Sequence, residues 1–66
     1  MNITINGKPY EIDECATLED ALQKADVKPK GIATALNNIV IPAAQRGKTV
    51  LKEGDSIIVI TAFYGG

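Results

Sequence analysis

Histidine and tryptophan are absent from this 66-residue chain, and cysteine and serine occur once each, at Cys15 and Ser56. Each gap removes a class of chemistry. Without histidine there is no imidazole base for a nucleophilic triad, and one serine with no glycine-rich phosphate loop leaves no resident catalytic set. A single cysteine excludes an internal disulfide and a multi-cysteine zinc site, so packing alone must hold the fold, as suits a reducing cytoplasm. No histidine or arginine, and no lysine within five residues, lies near Cys15 in sequence to stabilise a thiolate, so it reads as a small packing residue. Basic runs are also missing. Lys28 and Lys30 flank Pro29, Arg46 and Lys48 stand apart from Lys52, and the net charge is −1, which opposes nucleic-acid binding. No apolar stretch approaches the roughly 18 residues of a membrane span, and the N-terminus has no basic leader or apolar h-region. A soluble, unprocessed cytoplasmic protein is the expectation, with no membrane partner.

What is present is a folding composition: 45% hydrophobic and 23% charged residues, far from the signature of disorder. A chain this short buries only about 60% of its unfolded surface, so an internal cofactor pocket of roughly 300 Å³ or more would consume its core. No bound cofactor is expected. The acidic residues Glu11, Asp13, Glu14, Glu19 and Asp20 are read as a solvated face rather than metal ligands, because strand alternation and helix-start preference account for them.

The pattern along the chain is ββαβ(β)β. Ile3 and Ile5 alternate with Asn2, Thr4 and Asn6, Gly7-Lys8 turns the chain, and Tyr10 and Ile12 alternate with Glu11 and Asp13, giving a hairpin with one dry face. Pro9 has no N–H to donate and suits the start of the returning strand or an edge. Thr17 and Asp20 resemble a capping box, and Leu18, Ala21, Leu22 and Ala25 recur at helical spacing, predicting a helix over about 18–26 that Pro29 and Gly31 stop. Strands follow at 32–36 and 39–41 around an Asn37-Asn38 turn, with Pro42 ending the second. Residues 43–52 form a connection of little periodicity. Lys52-Glu53-Gly54-Asp55 makes a turn, and its Gly-Asp pair is read as turn geometry rather than a site. The β-branched run Ile57-Ile58-Val59-Ile60 is apolar on both faces, as a central strand would be.

Because strand side chains alternate, Ile57 and Val59 are assigned to the core and Ile58 and Ile60 to the other face. One helix covers only one sheet face, so Ile58 and Ile60 are a candidate partner surface, unless the 43–52 connection or a second copy of the chain covers them. The chain closes on Gly65-Gly66. At an average glycine content of roughly 7%, chance produces that ending in only about 0.5% of chains. Glycine has no Cβ to obstruct attack at the acyl carbon, and two glycines let the backbone thread a narrow channel. With the last strand ending near Ala62, the final four residues would reach about 13 Å beyond the body, at roughly 3.3 Å per residue. The organisation expected is a domain at 1–62 and a flexible tail at 63–66. Phe63 and Tyr64 are candidate anchors in a partner's groove, or a cap on the core edge.

Several segments together resemble the sulfur-carrier proteins of thiamin biosynthesis, a ubiquitin-like β-grasp family. They are Ala35-Leu36-Asn37, Val40-Ile41-Pro42, Leu51-Lys52-Glu53-Gly54-Asp55, Ile57, Val59 and Gly65-Gly66, in the family's order and spacing, with Thr17-Leu18 and Leu22 fitting more loosely. Three departures stand out: Ala43 where Arg is common, no aromatic residue within Gln45-Arg46-Gly47, and the bulky Phe63-Tyr64 before the glycines. The resemblance implies an α+β β-grasp fold, with a mixed four- to five-stranded sheet and one helix on one face. It also implies a carrier, not an enzyme. An E1-like adenylating enzyme using ATP would activate the Gly66 carboxylate, and a sulfur donor such as a cysteine desulfurase would supply the sulfur. The thiocarboxylate would then serve thiazole synthase or another acceptor, with Gly65, Tyr64 and Phe63 entering the partner's active site. A carrier for molybdopterin or amino-acid sulfur, a ubiquitin-like modifier attacked by lysine amines, and a plain binding module are the alternatives.

Overall fold

The computed structural model describes residues 1–28 and 30–61. The first hairpin pairs β1 (Asn2–Ile5) with β2 (Lys8–Glu11), and its turn lies at Asn6 and Gly7, one residue earlier than the sequence pattern suggested. Both turn residues have positive φ, 52° and 80°, the two-residue geometry that matches strand twist and that Asn-Gly tolerates best. Pro9 sits within β2, an edge strand, where its missing N–H costs no ladder bond.

Helix α1 spans Leu18–Lys24 and begins with a complete capping box: Thr17 Oγ1 accepts from the Asp20 N–H at 3.2 Å, and Asp20 Oδ2 accepts from the Thr17 N–H at 3.0 Å. It ends two residues short of the expected 26, and not because of Pro29 or Gly31. Asp26 adopts φ +59°, its N–H donates to the Gln23 carbonyl, and the Val27 N–H reaches back to Leu22, which together form a Schellman stop. Strands β3 (Ile32–Leu36) and β4 (Ile39–Ile41) flank Asn37 and Asn38, both at positive φ. The aperiodic 43–52 segment contains a 3-10 helix, Ala43–Lys48, and Val50 then bridges to Thr17 before β5 (Ser56–Thr61).

The sheet order is β2-β1-β5-β3-β4, with β5 parallel to β1 and antiparallel to β3. This five-stranded mixed sheet with one α-helix on one face is the β-grasp arrangement, and the last strand is its centre. Ile3, Ile5 and Ile57 point from the sheet toward Leu18, Ala21 and Leu22 of α1, with Ile12, Ala16 and Leu51 closing the edges of the core. Cys15 corrects the expectation of a packing residue. The turn closed by the Ala16 N–H on the Asp13 carbonyl sends Cys15 outward at φ +67° and Ala16 inward, so the thiol is exposed. The 62/63 domain boundary lies outside the described residues. Among the described residues no helix is long and apolar enough to cross a membrane.

Candidate functional site

The sheet face opposite α1 divides by composition. Cross-strand partners share a face, so the register Ala35↔Ile58, Ala33↔Ile60 and Ala35↔Val40 places these five residues side by side on β5, β3 and β4. Asn2, Thr4, Pro9 and Glu11 fill the β1-β2 half. Val40 is 71% exposed, Ile60 60% and Ile58 38%. Ile57 is buried and Val59 half-buried on the opposite face, as the alternation predicted. The 43–52 segment does not cover the apolar half, because its 3-10 helix packs beside α1 on the other side of the sheet. Ile58 and Ile60 are therefore exposed, as a docking surface requires. Sequence reading missed Ala33, Ala35 and Val40 as their neighbours. Their spacing marked strands, but only the cross-strand register brings them together.

Two polar side-chain devices and a strand pairing hold the strand that presents this face. At its start, the buried Asp55 carboxylate accepts from the Lys52 N–H at 2.7 Å and from Asn37 Nδ2 at 3.0 Å, while Asn37 Oδ1 accepts from the Ser56 N–H at 2.9 Å. This clasp ties the 37–38 turn to the 52–55 turn and explains two of the sequence segments on which the family resemblance rests. The turn reading of Gly54-Asp55 is thus correct, since Gly54 has φ +84° and Asp55 is consumed by structural bonds. In the middle, β1 stops at Ile5, so β5 runs on beyond it; the Asn6 side chain then extends the ladder, its Oδ1 accepting from the Val59 N–H at 2.8 Å. Near its end, β5 pairs with the first residues of β3, Ile32↔Thr61 and Ala33↔Ile60.

Arg46 is the functional candidate that composition concealed. It counted only as an isolated positive charge, yet it is 6% exposed, in the stretch where an aromatic residue was missing. Its Nη2 donates to the Ile32 carbonyl at 2.9 Å and its Nε to Thr34 Oγ1 at 3.2 Å. Thr34, also buried, donates a hydrogen bond from its hydroxyl to the Ile41 carbonyl at 3.0 Å. The long arginine stem supplies packing and the guanidinium finds acceptors, so burial is tolerable.

The remaining predicted site residues, Phe63, Tyr64, Gly65 and Gly66, lie outside the described residues. Among the described residues no three acidic, cysteine or histidine side chains come together as metal ligands. The acidic residues 11, 13, 14, 19 and 20 are exposed, with Asp20 engaged in the helix cap.

Comparison with known proteins agrees with this architecture. The model of the ThiS family matches residues 3–66. The sulfur carrier protein ThiS of Escherichia coli is 26% identical over 66 residues, which cover all of both chains. A thiazole synthase of Magnetococcus marinus is 33% identical over 66 residues, which are the whole of this chain and 20% of that protein. The crystal structure of a thiamine biosynthesis protein, ThiS, from Geobacter metallireducens superposes with a TM-score of 0.83 at 29% identity over the full length of both chains. A β-grasp body built around a central last strand, ending in Gly65-Gly66 and matched along its length by that family's model, belongs to the ThiS family of sulfur carriers.

Proposed function

We propose that this protein carries sulfur as a thiocarboxylate on Gly66, for thiazole formation in thiamin biosynthesis. The observation that carries the reading is a central strand, ending at Thr61, that displays an exposed apolar face in a chain whose sequence closes on Gly65-Gly66. An unactivated carboxylate is a poor acyl donor. Transfer of AMP from ATP, with loss of pyrophosphate, gives a mixed anhydride whose AMP is a good leaving group. A sulfide-level sulfur nucleophile then forms the carbon–sulfur bond and expels AMP, leaving the thiocarboxylate. No part of this needs a base or metal on the carrier, and the chain has no histidine to act as one. The body's task is to be recognised.

The partners in this reading are an E1-like adenylating enzyme that binds ATP, a cysteine desulfurase as sulfur source, whose persulfide sulfur is brought to the sulfide level by a thiol that is oxidised to a disulfide, and a thiazole synthase as acceptor. The similarity to part of a protein named thiazole synthase favours that acceptor over molybdopterin or amino-acid sulfur. Ile58, Ile60, Val40, Ala33 and Ala35 form the docking surface, while Phe63, Tyr64 and Gly65 enter the partner's active site behind Gly66. In the cytoplasm, where ATP and reduced thiols are available, the cycle can turn over. Measuring ATP–pyrophosphate exchange by the activating enzyme tests the first step. Exchange that rises with added carrier supports the reading, and exchange indifferent to it refutes adenylation of this chain.

A further inference from the structure

We infer that Arg46 is a positioning residue for the C-terminal tail, fixing from the helix side of the sheet the direction in which β5 leaves the body. This rests on the carrier reading above.

The backbone directions follow from the hydrogen bonds of the ladder. The Ile57 carbonyl accepts from the Asn6 N–H at 2.8 Å and the Val59 N–H donates to Asn6 Oδ1, so odd-numbered residues of β5 turn their backbone groups toward β1. Even-numbered residues face β3, as the Asn37 N–H on the Ser56 carbonyl shows. In β3, Ala33 and Ala35 therefore bond to β5, while Ile32 and Thr34 turn toward β4. But β4 ends at Ile41, opposite Thr34, and Pro42 leads the chain into the 3-10 helix. The Ile32 carbonyl thus faces the side on which, among the described residues, the sheet has no further strand. Arg46 reaches back from the 3-10 helix and donates to that carbonyl and to Thr34, one guanidinium doing the work of an extra rung.

The location gives this a function. Ile32 and Ala33 are the partners of Thr61 and Ile60, the last described residues before the tail. On its other edge this part of β5 lies past the end of β1, where Asn6 supplies the bond to Val59. The tail root therefore depends on β3 for its register, and the start of β3 depends on Arg46. The guanidinium lies on the helix side, away from the apolar docking face, so Arg46 acts on tail delivery and not on partner affinity.

The test compares the full-length protein with Arg46→Met, Arg46→Lys and Thr34→Val. Met keeps the stem and removes every donor. Lys keeps the charge but lacks the planar fork that bonds two acceptors at once. Thr34→Val removes one acceptor of Arg46, together with the Thr34 donation to the Ile41 carbonyl, with little change of shape, and serves as the informative variant if Arg46→Met does not fold. The expected result is loss of amide-exchange protection by about tenfold or more at Ala33 and Ile60, with protection at Asn6 retained, since bonds from a charged donor are among the stronger ones. In adenylation, kcat falls in the order wild type, Arg46→Lys, Arg46→Met, while KM for the carrier stays within about twofold, because the docking face is unchanged. Protection lost evenly across the sheet, or an unchanged kcat in folded variants, overturns the proposal. A wild-type protein that is not adenylated strikes instead at the carrier reading, and the protection pattern still decides whether Arg46 braces the tail root.

Discussion

Replacing Ile58 and Ile60 with threonine separates recognition from folding. Threonine keeps the β-branch that suits a strand, but removes apolar surface and adds a hydroxyl that a dry interface must desolvate. Full burial of an isoleucine side chain contributes about 1.5–3 kcal/mol. Ile60 is 60% exposed and Ile58 38%, so docking has about 0.9–1.8 and 0.6–1.1 kcal/mol still to gain from them, together about 1.5–3 kcal/mol. The double variant should therefore raise KM for the activating enzyme about ten- to hundredfold with kcat little changed. Folding loses what the two side chains already bury, on the same scale also about 1.5–3 kcal/mol, which is a fall of roughly 6–24 °C in Tm for a domain of this size, so the kinetics are read well below each variant's melting temperature. Steady-state ATP–pyrophosphate exchange across carrier concentrations, with a thermal melt of each variant, reads both quantities. Ile57→Thr is the contrasting control: that side chain is fully buried, so its loss should appear in the melt. A double Ile58/Ile60 variant with wild-type KM would show that the partner does not use this face.

Three further outcomes follow from local geometry. Asp55→Ala strands the Lys52 N–H and Asn37 Nδ2 and should cost about 2–4 kcal/mol, a large share of the roughly 3–10 kcal/mol available to a 66-residue domain, as a denaturant titration would show. Asp26→Gly should stabilise by about 1 kcal/mol in the same titration, because it relieves a positive φ of 59° and removes a negative charge from the negative end of α1. Deleting Gly66 should abolish sulfur transfer while leaving Tm within about 1 °C, since no described residue of the core depends on it.

Most of the fold was legible because local and global signals agree. The capping box, the 18, 21, 22, 25 spacing and the positive-φ asparagines each encode a feature within a few residues of itself. The helix stop was misplaced because an aspartate at the left-handed position leaves no glycine-like mark in sequence. Ile58 and Ile60 could be assigned to a face by period-two alternation, whereas Val40, Ala33 and Ala35 joined them only through pairing between strands far apart in sequence. Arg46 was the least legible. An arginine surrounded by polar residues looks solvated, and only the diversion of the chain at Pro42 creates the vacant edge and the Ile32 carbonyl that draw it inside.

The central claim is that sulfur is carried on the last carbonyl of this chain. Incubating the intact protein with an activating enzyme, ATP and a sulfide source, followed by intact-mass measurement and fragmentation, tests it most directly. The account predicts the mass gain of one sulfur replacing one oxygen, located at Gly66 and absent when ATP is omitted. An unchanged mass with an enzyme that thiocarboxylates a control carrier, or sulfur located on Cys15 instead, would contradict it.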